Sequence, residues 1–305
     1  MSHSRIGPAD VRPRHHLIKS ALLSSSLLSV VGGCASVPLE QANSLKSYEG
    51  LTPGEGQLTK AKYKVVSEDL TSTKTIYIEP TTISAVAAQS IKKSSDQALV
   101  ANVISRALCI GVSDRFVVVD KKENADLVVR ATVTRIVPTD PAVAGLSFAI
   151  SQGASFVVPV PVPRLPMGLG GLSVEAEATT RDGKQLGAMV WAKGANVLTT
   201  SPRVSQIGDA YSLAASFGDD FSKMLVAGNT PFKGLPKLPS SQKLQSNLGG
   251  KHKYQACERF GRAPGLKDLA ASQLGMPPSW TDKPAPEQNQ QSPRQTSLND
   301  RTRGR

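Results

Sequence analysis

Hydrophobic and polar residues first alternate at Thr75-Ile76-Tyr77-Ile78-Glu79, a run that stops at Pro80 and predicts a strand. The period then lengthens. From Ser94 to Ile110 two adjacent apolar rows, Leu99, Val103, Ala107 and Val100, Ile104, Leu108, make one helix face, closed by Gly111. Phe116-Val117-Val118-Val119 is a short apolar run of the kind expected for a strand buried on both faces. Alternation returns at 125–136, where Leu127, Val129, Ala131 and Val133 face one way and Arg130, Thr132 and Thr134 the other. Leu172–Thr180 and Gln185–Asn196 alternate on either side of Asp182-Gly183, which predicts a hairpin. Ile207, Tyr211, Ala214, Phe217, Phe221 and Leu225 recur at helical spacing and end near Gly228.

The order strand, helix, strand, strand, insertion, hairpin, helix predicts an α/β chain with α+β character. Its first helix serves as a right-handed crossover, and both main helices cover one face of a mixed sheet of about five strands. The expected domain is a two-layer sandwich over 70–232 with a polar sheet face left open. Residues 34–69 read as a tether and 141–171 as an apolar insertion. In that insertion, 141–163 carries no charge and ends in alternating prolines. Phe148, Ile150, Phe156 and Val157 there are candidates either for core packing or for an exposed docking patch.

Charge divides unevenly. Residues 34–232 hold 19 Lys and Arg against 18 Asp and Glu, whereas 233–305 hold 13 against 5. The basic stretch is rich in Pro, Gln, Ser and Asn, a composition that predicts a solvated, largely disordered tail. Removing 277–305 is therefore expected to leave stability unchanged.

The amino terminus has the three parts of an export signal. Arg5, Arg12, Arg14 and Lys19 precede an apolar run from Ala21 to Val31, then Gly32-Gly33-Cys34. A helix over 21–31, at about 1.5 Å per residue, reaches roughly half of a ~30 Å hydrocarbon core, too short for a permanent span. The segment resembles a lipobox, although Val31 stands where Leu is commonest and Gly32 follows it. The resemblance implies a signal peptide over 1–33 and lipidation at Cys34. With Ala35 next, and not Asp, it implies the periplasmic face of the outer membrane. Cys109 and Cys257 then remain as an even pair in an oxidising compartment, either bridged or, more simply, left as thiols with Cys109 buried.

Candidate chemistry is sparse. Glu175 and Glu177 share a strand face and are read as solvated, since glycosidase acids flank a cleft from opposite sides. Asp219-Asp220 reads as an exposed acidic patch, and Gly168-Leu169-Gly170-Gly171 as a connector without the helix and Lys of a phosphate loop. No histidine lies in 34–232, and no Gly-x-Ser-x-Gly elbow is present. The reading is a non-enzyme with no cofactor and no metal.

The lipobox, Leu45-x-x-Tyr48 with Leu51-x-Pro53-Gly54, and the strand Ala125-Asp126-Leu127-Val128-Val129 are followed by Gly171-Leu172-Ser173-Val174-Glu175-Ala176-Glu177, the Asp182-Gly183 turn and the closing helix. In that order they resemble the bacterial lipoprotein family known as domain of unknown function 3313. The resemblance implies an envelope lipoprotein and transfers no catalytic residue. The expected function is a lipid-anchored scaffold or accessory of an envelope complex. It would have an envelope protein as partner, contact the membrane through its N-terminal lipid, and bind no nucleic acid. A carrier of an apolar envelope molecule is the alternative, and a cell-wall hydrolase is less favoured.

Overall fold

The structure, a computed structural model, describes residues 37–56, 59–155, 164–233 and 238–283, with Met1 and His3. The chain divides after Gly33, and every element here lies in the unit Cys34–Arg305. Cys34, Phe156, Val157, the proline run and the chain from 284 onward lie outside the described residues.

The α/β class holds, with a larger sheet than five strands. Eight strands are β1 (Thr52–Gly56), β2 (Thr59–Val65), β3 (Thr75–Ile78), β4 (Thr82–Ile83), β5 (Val117–Val118), β6 (Leu127–Val137), β7 (Gly171–Thr180) and β8 (Gln185–Gly194). Seven run in the order β1-β2-β8-β7-β6-β3-β5, and β4 pairs with β6. The parallel pairs are those of β3 with β5 and β6, and of β4 with β6; the rest are antiparallel. Between β3 and β5 run the helices α2 (Ala85–Ser90) and α3 (Ser94–Val112), the crossover that parallel pairing requires.

Helix α5 (Gly208–Ala227) lies beside α3, and both cover one sheet face. Leu172, Val174, Ala176 and Ala178 of β7 and Trp191 of β8 meet Leu108, Phe217, Phe221 and Leu225 there. Two glycines let the helices approach closely. A Cβ at Gly111 would fall 2.0 Å from Ser222 Oγ, and one at Gly218 would fall 2.4 Å from Ala107 Cβ. Gly228, at φ 65°, ends α5 in the left-handed conformation.

Several expectations need correction. Residues 37–69 are not a tether: they supply β1, β2 and helix α1 (Ser67–Ser72). Pro53 is tolerated because β1 is an edge strand. Phe116–Val119 is not buried on both faces, because β5 is the other edge and Val117 is exposed. Residues 141–155 form a helix, α4 (Pro141–Ser155). Asp140 Oδ1 accepts from the Ala142 and Val143 amides, and Pro141 occupies the first helical position, where its missing N–H costs nothing.

The basic segment is structured over 238–283, contrary to the expected solvated tail. It contains α6 (Ser241–Asn247), a 3-10 turn over Gln255–Phe260, α7 (Leu266–Gln273) and a 3-10 turn over Pro278–Trp280. Cys257 and Phe260 enter the main core, and Asn102 Nδ2 donates to the Phe260 carbonyl at 2.9 Å. Composition missed this because the segment docks through a few anchors, not through a continuous apolar face.

Candidate functional site

The sheet face read as open is covered over β7 and β8. Residues 37–51 form a strap across it, and Glu175 and Glu177, expected in solvent, are 1% and 3% exposed beneath that strap. Glu175 accepts from the Ala42 amide at 2.7 Å, the Ser44 amide at 3.1 Å, Ser44 Oγ at 2.5 Å and Tyr48 Oη at 2.6 Å. Glu177 accepts from the Lys46 amide at 2.9 Å and Gln185 Nε2 at 2.8 Å. Burial, followed by the Glu175 carboxylate, pushes the Tyr48 phenol up to about 12. Leu45, Ala188 and Val190 form a small second core under the strap, with Leu39, Tyr48 and Leu51 packed against it. The carboxylate pair fastens the strap to β7.

At one end of the sheet, Asp209 of α5 anchors the segment that follows α4. Arg164 Nη1 donates to Asp209 Oδ1 at 2.7 Å; Thr139 Oγ1 and the Gly170 amide donate to Oδ2 at 3.0 and 2.7 Å. Both members of the ion pair are buried. A buried pair with these donors holds a register and adds little net stability.

Of the four residues proposed as a patch, two are described. Phe148 is half-buried against Gly275, and Ile150 is exposed. Through Ser151, the exposed positions of α4 are Ala142, Leu146, Ala149 and Ile150, spaced i, i+4, i+7, i+8. They form one helix face, and all of it is apolar.

A second apolar surface was absent from the sequence reading. On α7 and the residue after it, Leu266, Leu269, Ala270 and Leu274 are exposed at i, i+3, i+4, i+8, flanked by the exposed polar residues Lys267 and Gln273. The carbonyl of Leu248, which follows α6, lies 2.2 Å from where a Cβ on Gly265 would stand, so α6 meets the start of α7. Leu244 and Leu248 are exposed there too. The helical spacing of these leucines was the available signal, hidden by reading the whole segment as disordered.

Charged anchors fix this segment. Asp282 forms a buried pair with Arg106 and accepts from Tyr211 Oη at 2.8 Å. Asp268 binds Arg203 at 2.7 Å. Burial, then the nearby Asp282 and Asp268, raise the Tyr211 phenol. Cys109 of α3 and Cys257 are joined by a disulfide.

Between α3, α5 and the docked segment lies a groove of about 860 Å³. Lys193, Lys223, Lys243 and Asp219 are on its wall together with Val103, Ala107 and Ile110. Asp219, expected in an open acidic patch, pairs with Lys223 and Lys243. Burial pushes its carboxyl upward, but the two lysines outweigh that and hold it below the ordinary value. Asp220 is raised, mainly by burial, while accepting from Trp191 Nε1 at 2.9 Å. Among the described residues no group of three or more His, Cys, Asp or Glu is placed to hold a metal ion. No described helix is long and apolar enough to cross a membrane.

The family model described as "Protein of unknown function (DUF3313)" matches residues 40–221. No curated protein matches the chain. Two solved structures of the PelC dodecamer from Paraburkholderia phytofirmans, one of a point variant, align with TM-scores of 0.32 and 0.33 at 9% identity. The alignments cover 55% of this chain and 97% of theirs, an overlap too loose to bear on function.

Proposed function

Since the chain belongs to the DUF3313 family of unknown function, we propose that it is a lipoprotein of the outer membrane, facing the periplasm, that acts as a non-enzymatic scaffold or accessory of an envelope complex. The lipid on Cys34 supplies the anchor, so the folded unit needs no membrane span. The observation that carries the scaffold reading is the leucine surface of the C-terminal segment. Leu244, Leu248, Leu266, Leu269 and Leu274 are each at least half exposed on a segment clamped in place by buried ion pairs and a disulfide. An exposed apolar stripe on a rigid support is the arrangement of a protein-docking surface. The buried carboxylates Glu175, Glu177, Asp209 and Asp282 act as internal fastenings, which fits a binding protein.

Two experiments test this. Cys34→Ala should release the protein from membranes with its fold intact; sedimentation with outer membranes after a salt wash would refute the anchor. Leu266→Asp with Leu269→Asp should retain the melting temperature and lose a partner crosslinked in intact cells. Retention of every crosslink at unchanged stability would refute the scaffold.

A further inference from the structure

The position of the anchor relative to the fold carries a second conclusion, which rests on the lipidation reading above. Val37 lies three positions after Cys34, so at about 3.6 Å per residue the link spans at most ~11 Å. Val37 is 2% exposed and is wedged over the start of β7, where a Cβ on Gly171 would lie 2.2 Å from Val37 Cγ2. The acylated residue is therefore tied closely to one particular end of the sheet.

That end has a distinctive surface. Gly171 pairs with Val137, the last residue of β6, and with Gly194, the last of β8. Helix α4 starts just beyond β6, and the Asp140 amide donates to the Gly168 carbonyl at 2.9 Å. After β8, the Ala195 amide donates to Gly170, and the Arg164 amide to Val197. These bonds gather α4, residues 164–170 and the loop after β8 around Val37. The large exposed residues on them are Leu146, Ile150, Met167 at 60% and Leu198 at 74%. The opposite end of the same strands carries the turn Arg181–Lys184 and the exposed pairs Lys184–Asp69 and Lys122–Glu79. The end next to the anchor carries this apolar surface with one exposed ion pair, Arg135–Glu40, beside it; the far end is charged.

We infer that the apolar end seats against the lipid surface that holds Cys34, with the outward face of α4 at the boundary between headgroups and acyl chains. A helix whose exposed face is Ala142, Leu146, Ala149 and Ile150 lies in an interface with that face down, typically ~5–10 Å deep. The acyl anchor keeps the face within reach, and the apolar contact fixes the orientation. The charged turn at 181–184 and the long axis of β7 then point away from the membrane.

The test uses the full acylated chain in vesicles of phosphatidylethanolamine with a minor share of phosphatidylglycerol. Ile150→Cys, Leu146→Cys and, at the far end, Asp182→Cys each add one thiol. It is the labelling site, because the Cys34 sulfur is alkylated and Cys109 and Cys257 are bonded. A nitrobenzoxadiazole label at 150 and at 146 should shift to the blue. Nitroxide-bearing lipids should quench it several-fold more strongly than at 182. Vesicle-bound protein with water-like labels at 146 and 150 would overturn this inference alone. Protein whose Cys34 is unacylated by mass, or that fails to float with the vesicles, would overturn the lipidation reading as well. A blue shift that appears only when envelope proteins are added would assign the face to a protein and refute the lipid contact.

Discussion

Replacing Asp282 by Ala asks whether the C-terminal segment is part of the fold. Arg106 and Asp282 have side chains only 5% and 4% exposed. Without the carboxylate, the guanidinium keeps a 3.3 Å bond to the Arg262 carbonyl, and Tyr211 Oη loses its 2.8 Å acceptor. Breaking one side of a buried pair costs about 3–5 kcal/mol, most of it from the stranded charge. Part of that cost is relieved here, because residues 277–283 can lift away and let water reach Arg106. The disulfide at Cys257 keeps the rest of the segment at hand. A loss of about 3 kcal/mol follows, or roughly 6–12 °C in melting temperature for a domain of this size. Deleting 277–305 should cost about as much, contrary to what composition suggests. Arg106→Met combined with Asp282→Leu should recover most of the loss, since an apolar pair strands no charge. Thermal and urea melts under non-reducing conditions read all of these. A loss below about 1 kcal/mol, the worth of an exposed pair, would mean that the segment does not dock as described.

Other outcomes follow from the same geometry. Glu175→Gln should weaken the strap: amide exchange at 42–48 should quicken, and the Tyr48 phenol should titrate below its present value of about 12, while burial, the larger cause, keeps it above the ordinary ~10. An unchanged phenol by ultraviolet titration would refute the role of Glu175. Asp220 has a folded pKa above its unfolded value, so its contribution is fully present below the ordinary ~3.9 and is lost as pH rises through the raised folded value. Asp220→Asn, which can still accept from Trp191, should therefore be more stable than the parent at pH near 7 and no different near 3; a variant less stable near neutrality would contradict this. Cys109→Ser with Cys257→Ser opens a loop of 148 residues and should cost about 3–5 kcal/mol in equilibrium melts, and a cost under about 1 kcal/mol would leave the bridge no stabilising role.

The parts read correctly from sequence are those whose type is set by local periodicity or turn chemistry, whatever covers their second face. The two rows on α3, the alternation of β6 and the Asp182-Gly183 hairpin all belong to this class. Misreadings arose where a polar residue is buried or an apolar one is exposed. Glu175 and Glu177 alternate with Val174, Ala176 and Ala178 as solvent-facing residues would, and nothing local shows that residues some 130 positions earlier cover them. Lys60, Lys62 and Lys64 against Ala61, Tyr63 and Val65 was a legible strand pattern, overlooked among turn formers. Asp140-Pro141 was a legible helix start, masked by the later prolines. Asp282 has no such sign, because its partner Arg106 lies 176 residues away.

The pairing of β2 with β8 sets the order in which the molecule is completed. Thr59 meets Lys193 and Val65 meets Gly187, so a strand made early waits for one made far later. Closing so long a loop must precede any gain from the contacts it brings, which slows folding. The strap waits longer than its early place in the chain suggests, since its acceptors are at 175 and 177. Asp282 joins Arg106 only after nearly the whole chain is present. The strap and the last described residues are thus the late steps of assembly, and a chain cut short of β8 leaves β2 paired with β1 alone and the strap without Ala188 and Val190 beneath it.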